Sequence, residues 1–141
     1  MKRIFTLLVA SVMVLCCFGT AYAADEQSYR ASITLSRYSA DLFRGSSSGK
    51  AIISYDVKSN SDASSIGVES IVFYTDDGDY VSTVTGTTGN GLIKTNDNHH
   101  NDDFECTLPS GNYYYAEVTI FARIGSAYDS RTVTTSTVWI G

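Results

Sequence analysis

Asn112-Tyr113-Tyr114-Tyr115-Ala116-Glu117-Val118-Thr119-Ile120-Phe121-Ala122-Arg123-Ile124 decides the fold class. Tyr114, Ala116, Val118, Ile120, Ala122 and Ile124 form an unbroken apolar file at period two. Tyr113, Tyr115, Glu117, Thr119, Phe121 and Arg123 form the opposite file. Successive side chains of a strand point to opposite faces, so this stretch reads as a strand with one face in a core.

The same alternation recurs on both sides of it. Upstream, Ala31, Ile33 and Leu35 alternate with Ser32, Thr34 and Ser36, and Ala51, Ile53, Tyr55 and Val57 alternate with mostly polar partners. Ser59-Asn60-Ser61-Asp62 reads as the turn that follows. The run from Ile66 to Thr75 puts Ile71 and Phe73 on one face and Val72 and Tyr74 on the other, so it is central or carries a binding surface. Asp76-Asp77-Gly78-Asp79 closes a hairpin, with Asp77-Gly78 suited to a type I′ turn, and Tyr80 to Thr85 returns. Phe104, Cys106 and Leu108 make a fifth strand, and Thr132 to Ile140 a seventh after the Gly125-Ser126 turn. Seven short strands without helical periodicity predict an all-β fold, a seven-stranded antiparallel β-sandwich. Residues 86–102 read as one long irregular loop, pinned at its middle by Leu92 and Ile93.

Ahead of the domain stands an export signal. Lys2 and Arg3 precede an apolar run from Ile4 to Phe18, and Ala21-Tyr22-Ala23 supplies the small-x-small pattern of a cleavage site. A helix of that run is roughly 22 Å long at ~1.5 Å per residue, short of a ~30 Å bilayer core. Residues 1–23 are therefore expected to be a signal peptide and 24–141 a single secreted domain, extracellular and without a membrane anchor. The whole chain carries a net charge of −5, and losing Lys2 and Arg3 makes the remainder more acidic still. Such a surface repels nucleic acid. Of three cysteines only Cys106 lies beyond the signal, so the domain has no internal disulfide and stands on packing alone. Cys106 itself reads as a small apolar strand residue.

Leu108-Pro109-Ser110-Gly111-Asn112-Tyr113-Tyr114 resembles the tyrosine corner of fibronectin type III domains. The resemblance implies a fibronectin type III or immunoglobulin-like sandwich with Tyr114 buried and its hydroxyl bonded back to the preceding turn. The proline comes one residue early, and Tyr55 stands nearest to the tryptophan such domains carry. Ala116 occupies the place of the second cysteine of antibody-type domains, which excludes that variant. Arg30-Ala31-Ser32, Tyr38-Ser39-Ala40, Gly49-Lys50, Ile66-Gly67, Tyr115-Ala116-Glu117-Val118-Thr119 and Ser130-Arg131-Thr132-Val133-Thr134-Thr135 together resemble a family of small secreted bacterial proteins of unknown function. That resemblance brings no catalytic residues with it.

Three constellations compete as sites. Gly45-Ser46-Ser47-Ser48-Gly49 matches the G-x-S-x-G elbow, but a strand follows it where the elbow needs a helix, so it reads as a turn. Asn96 to Asp103 concentrates His99, His100, Asp97 and Asp102, types that ligate zinc or calcium. Adjacent histidines do not aim at one ion without a preorganised backbone, so a solvated loop is the expected account. Finally, Tyr115 and Phe121 share the outer file of the sixth strand, with Tyr74 and Trp139 expected beside them. Flat rings bind sugars and peptides at small entropic cost. The expectation is a non-enzymatic interaction module with no cofactor and no catalytic residue, whose partner is a protein or glycan. The alternative is a small secreted enzyme or metal-binding protein built on residues 86–103.

Overall fold

The computed structural model describes residues 34–141. The expected signal peptide and the Ala31-Ser32-Ile33 start of the first expected strand lie outside the described residues. The described chain is all β: β1 (Leu35–Arg44), β2 (Lys50–Ala63), β3 (Ser65–Thr75), β4 (Tyr80–Thr85), β5 (Ile93–Lys94), β6 (Asp97–Thr107), β7 (Asn112–Ile124), β8 (Ala127–Thr134) and β9 (Val138–Ile140). All pairings are antiparallel. One sheet has the order β1-β2-β6; the other runs β4-β3-β7-β8, with β5 added to β3 and β9 to β7.

A single hydrophobic cluster joins the inner faces of the two sheets, as in a sandwich. Along β7 the inner file Tyr114, Ala116, Val118, Ile120 and Ala122 is buried throughout. Its small members face large ones across the register, Ala116 opposite Phe73 and Ala122 opposite Ile66. That alternation lets the layers interlock, and fully burying a side chain such as Ile120 contributes about 1.5–3 kcal/mol.

Four expectations about local structure are corrected. Residues 86–102 are not one loop, because β6 begins at Asp97 and pairs with β2 through Val57↔His100 and Lys58↔His99. This strand lies at the sheet edge, where charged side chains discourage further pairing, and its polarity hides the alternation. Ser59 to Asp62 is no turn but a bulge inside β2, where the register with β6 slips between Lys58 and Ala63. The Ser59 hydroxyl sits 2.6 Å from the Ser61 carbonyl there. The hairpin after β3 is not type I′, which needs positive φ at both central residues. Gly78 alone has it (φ 90°), while its N–H donates to the Thr75 carbonyl at 2.9 Å.

The fourth correction concerns the last strand. Thr132 to Ile140 divides into β8 and β9 because Thr135 turns its side chain into the ladder. The Ala116 N–H donates to Thr135 Oγ1 at 3.0 Å, while the Thr135 N–H donates to the Ala116 carbonyl at 2.9 Å. Two short extra strands, β5 and β9, thus raise the count from seven to nine among the described residues.

Tyr114 has the geometry expected of it. Its ring is 2% exposed, and its hydroxyl donates to the Pro109 carbonyl at 2.8 Å. Tyr114→Phe removes the donor and leaves that carbonyl to solvent or to nothing. The expected cost is about 1–2 kcal/mol. A urea titration should show a lowered midpoint with unchanged slope; an unchanged midpoint would mean that the hydroxyl holds nothing.

Candidate functional site: an aromatic band on the larger sheet

The outer face of the larger sheet gathers rings from four strands. Tyr74 on β3 faces Tyr115 on β7 across the register, and their rings stack at 5.3 Å and 18°. Tyr80 on β4 meets Tyr74 edge-on at 6.4 Å and 79°. One row further along, Tyr113 pairs with Trp139 on β9, with ring centroids 5.0 Å apart. Tyr80, Tyr113 and Trp139 are 64%, 48% and 43% exposed. An exposed cluster of rings costs the free protein solvation, and such patches mark interaction surfaces.

Glu117 lies within this band. It is the next outward residue after Tyr115 and stands opposite Val72. Burial among its neighbours raises the Tyr74 phenol above its ordinary value, with the Glu117 carboxylate adding to the shift. The phenol therefore stays protonated and available as a donor at physiological pH.

Tyr74, Tyr115 and Trp139 are thus brought into one region. Phe121 is not part of it: although it lies on the expected outer file, it is only 6% exposed. The Tyr128 ring leans over it at 6.0 Å, anchored by a 2.9 Å hydrogen bond from its hydroxyl to Glu69 and by the Arg123 guanidinium 4.9 Å above the ring. Tyr80 and Tyr113 joined the band unexpectedly. The sequence signal for Tyr80 is the short hairpin that folds it back onto Tyr74, and for Tyr113 its period-two spacing from Tyr115.

The histidine-aspartate constellation is pulled apart by the β6 register. His99 points outward, its Nε2 2.9 Å from Asp56 Oδ1. His100 points inward and is 1% exposed. Asp97 Oδ1 accepts the N–H groups of Asn98 and His99 at 2.8 and 3.1 Å. These bonds, with Lys94 nearby, lower the Asp97 carboxyl below its ordinary value against some burial. Asp102 is exposed on the inward file, opposite Tyr55. Among the described residues no group of three or more His, Cys, Asp or Glu side chains is placed to hold a metal ion.

The other outer face, on the smaller sheet, holds an open depression of about 290 Å³ near Asp41, Asp56, Asn101 and Asp103. Asp56 is already engaged there, by Arg37 at 2.7 Å and by His99. The serine-glycine stretch 45–49 forms the β1–β2 connection and leads into a strand, without the strand-to-helix setting of a nucleophile elbow.

Cys106 is half-buried beside Ala51, and burial pushes its thiol up to about 11, only partly offset by Lys50. Reactivity follows the thiolate fraction, so alkylation by iodoacetamide at pH 8 is expected to run one to two orders of magnitude slower than for an exposed cysteine, about 10–100-fold. Modification at the rate of free cysteine in the folded protein would contradict this burial.

No family model, curated protein or solved structure matches this chain.

Proposed function

We propose that the chain is a secreted, non-enzymatic interaction module whose partner docks on the aromatic band of the larger sheet. The observation that carries this reading is the convergence of Tyr74, Tyr80, Tyr113, Tyr115 and Trp139 from four strands onto one exposed face. Rings contribute large contact area for few rotatable bonds, and hot spots are enriched in Tyr and Trp.

The order β1-β2-β6 opposite β4-β3-β7-β8 corresponds to A-B-E opposite C′-C-F-G, and Tyr114 then opens strand F as a tyrosine corner. Both features support a fibronectin type III-like sandwich, while placement within a family of small secreted bacterial proteins rests on the sequence motifs alone. Lys2, Arg3, the apolar run and Ala21-Tyr22-Ala23 support cleavage after Ala23 and an extracellular destination.

The test is an array of peptides and glycans probed with the wild-type protein and with the Tyr74→Ser, Tyr115→Ser double variant. Loss of the captured partner in a variant with unchanged thermal unfolding supports the reading. Undiminished capture by the folded double variant would place the interaction on another face.

A further inference from the structure

The tyrosines of the band are bordered by carboxylates, while at its Trp139 end the Arg44 guanidinium reaches the same Gly141 position as the indole N–H. Glu117 lies inside it. Asp76 borders Tyr113, its N–H bonded to the Tyr113 carbonyl at 3.2 Å. Asp77 and Asp79 follow in the exposed turn between Tyr74 and Tyr80. Strands β3, β4 and β9 contain neither Lys nor Arg. The single cation of β7, Arg123, is eight residues beyond Tyr115, roughly 27 Å along the strand at ~3.4 Å per residue. It is also engaged with Tyr128.

Resting on the docking reading above, we infer that the partner is a basic protein segment whose Arg or Lys side chains lie over the rings and pair with Glu117 and the 76–79 aspartates. Three physical points select this occupant. A cation is drawn to the negative face of an aromatic ring, and Tyr80, Tyr113 and Trp139 leave ring surface open to it. The surrounding carboxylates add Coulomb attraction and steer the encounter. A second copy of this face would bring four carboxylates against four, which opposes symmetric self-pairing through it.

Ring geometry argues against a flat sugar platform. Rings lying side by side in one plane sit near the ~7 Å upper end of aromatic pair distances. Tyr74 and Tyr115 are nearly parallel at 5.3 Å, so they stand against one another and cover part of each other's faces. Tyr80 stands across them. What remains is a set of ring edges, phenol hydroxyls and open faces at several angles, which suits guanidinium and ammonium groups reaching in from an extended chain.

Three probes separate the possibilities by fluorescence anisotropy: a labelled Arg-Gly repeat peptide, the same peptide with citrulline in place of arginine, and a neutral β-linked hexasaccharide. The arginine peptide is expected to bind, and citrulline, which removes charge but keeps shape, to weaken it about ten-fold or more. Glu117→Gln should weaken it about five-fold, and raising the salt from low to physiological ionic strength should weaken it by a similar factor. Tyr74→Ser with Tyr115→Ser should remove binding. Asp41→Asn with Asp103→Asn, on the opposite sheet, changes the net charge more than Glu117→Gln does, yet should shift affinity by less than about two-fold.

Equal loss in the Asp41/Asp103 variant would reduce the effect to bulk acidity and overturn the inference. So would failure of the arginine peptide to bind. Binding of the neutral hexasaccharide that is lost in the tyrosine variant would leave the ring band as a docking face and overturn only the basic partner.

Discussion

Gly67→Ala is expected to cost more than about 3 kcal/mol and to release the β5 segment from the larger sheet. Gly67 holds φ 146°, a conformation that side chains disfavour. It also sits against the chain that crosses it: a Cβ there would run into the Leu92 carbonyl oxygen and come within 3.0 Å of His100 Nδ1. Neither neighbour has room to yield. Leu92 is fully buried, and its carbonyl accepts the Val68 N–H at 2.8 Å. Gly67 pairs with Ile93, so the intrusion lands on the two-residue bridge that ties the 86–96 segment to β3. Urea unfolding should show the loss, and hydrogen exchange should show Val68 exposed. A variant as stable as the parent would mean that this crossing relaxes freely.

Mild acid is expected to destabilise the fold through His100. The ring lies in the core, edge-on to Tyr55 at 5.1 Å, with Nε2 3.1 Å from the Tyr55 hydroxyl. That hydroxyl also lies 3.2 Å from the Gly91 carbonyl, so it links the ring to the 86–96 segment. Burial lowers the imidazole below its ordinary value of 6.5, and Lys94 adds to the shift, against the Ile66 carbonyl, Asp102 and Asp97. The unfolded chain then binds the proton more readily than the folded one. Stability is therefore full above pH 6.5 and falls as the pH drops from there through the folded value, with a slope of at most about 1.4 kcal/mol per unit for one proton.

His100→Gln keeps a polar side chain but cannot titrate. Its stability should change less between pH 7 and pH 5 than that of the parent, read from urea midpoints at matched ionic strength. Identical pH profiles would show that His100 does not carry the acid sensitivity. Tyr55 supports the same arrangement. Burial raises its phenol well above the ordinary range, helped by Asp102 and Asp103, so the hydroxyl remains a donor throughout this pH window.

The alternation of Tyr114 to Ile124 was legible in the sequence because a strand sorts its side chains by parity, a rule that needs no neighbour. By that rule alone the inner file of β7, the separation of Val72 and Tyr74 from Ile71 and Phe73, and the all-β class were determined. The burial of Tyr114 came from the Leu108-Pro109 corner, also a local signal. Parity was silent for residues 97–102, where Asn, Asp and His stand on both files. Pairing with β2 made that stretch a strand, and pairing is a contact between distant segments.

The same limit governs the candidate site. Tyr115 and Phe121 have equal parity, and nothing local distinguishes them. Tyr128 arrives from β8 to cover one ring, while Tyr74 arrives from β3 to stack beside the other. His99 and His100 are adjacent in the chain, yet one meets Asp56 at the surface and the other meets Tyr55 in the core. Which face a side chain takes follows from the backbone's period of two. What waits for it on that face depends on register and sheet order, because those alone bring residues far apart in the chain within reach of one another.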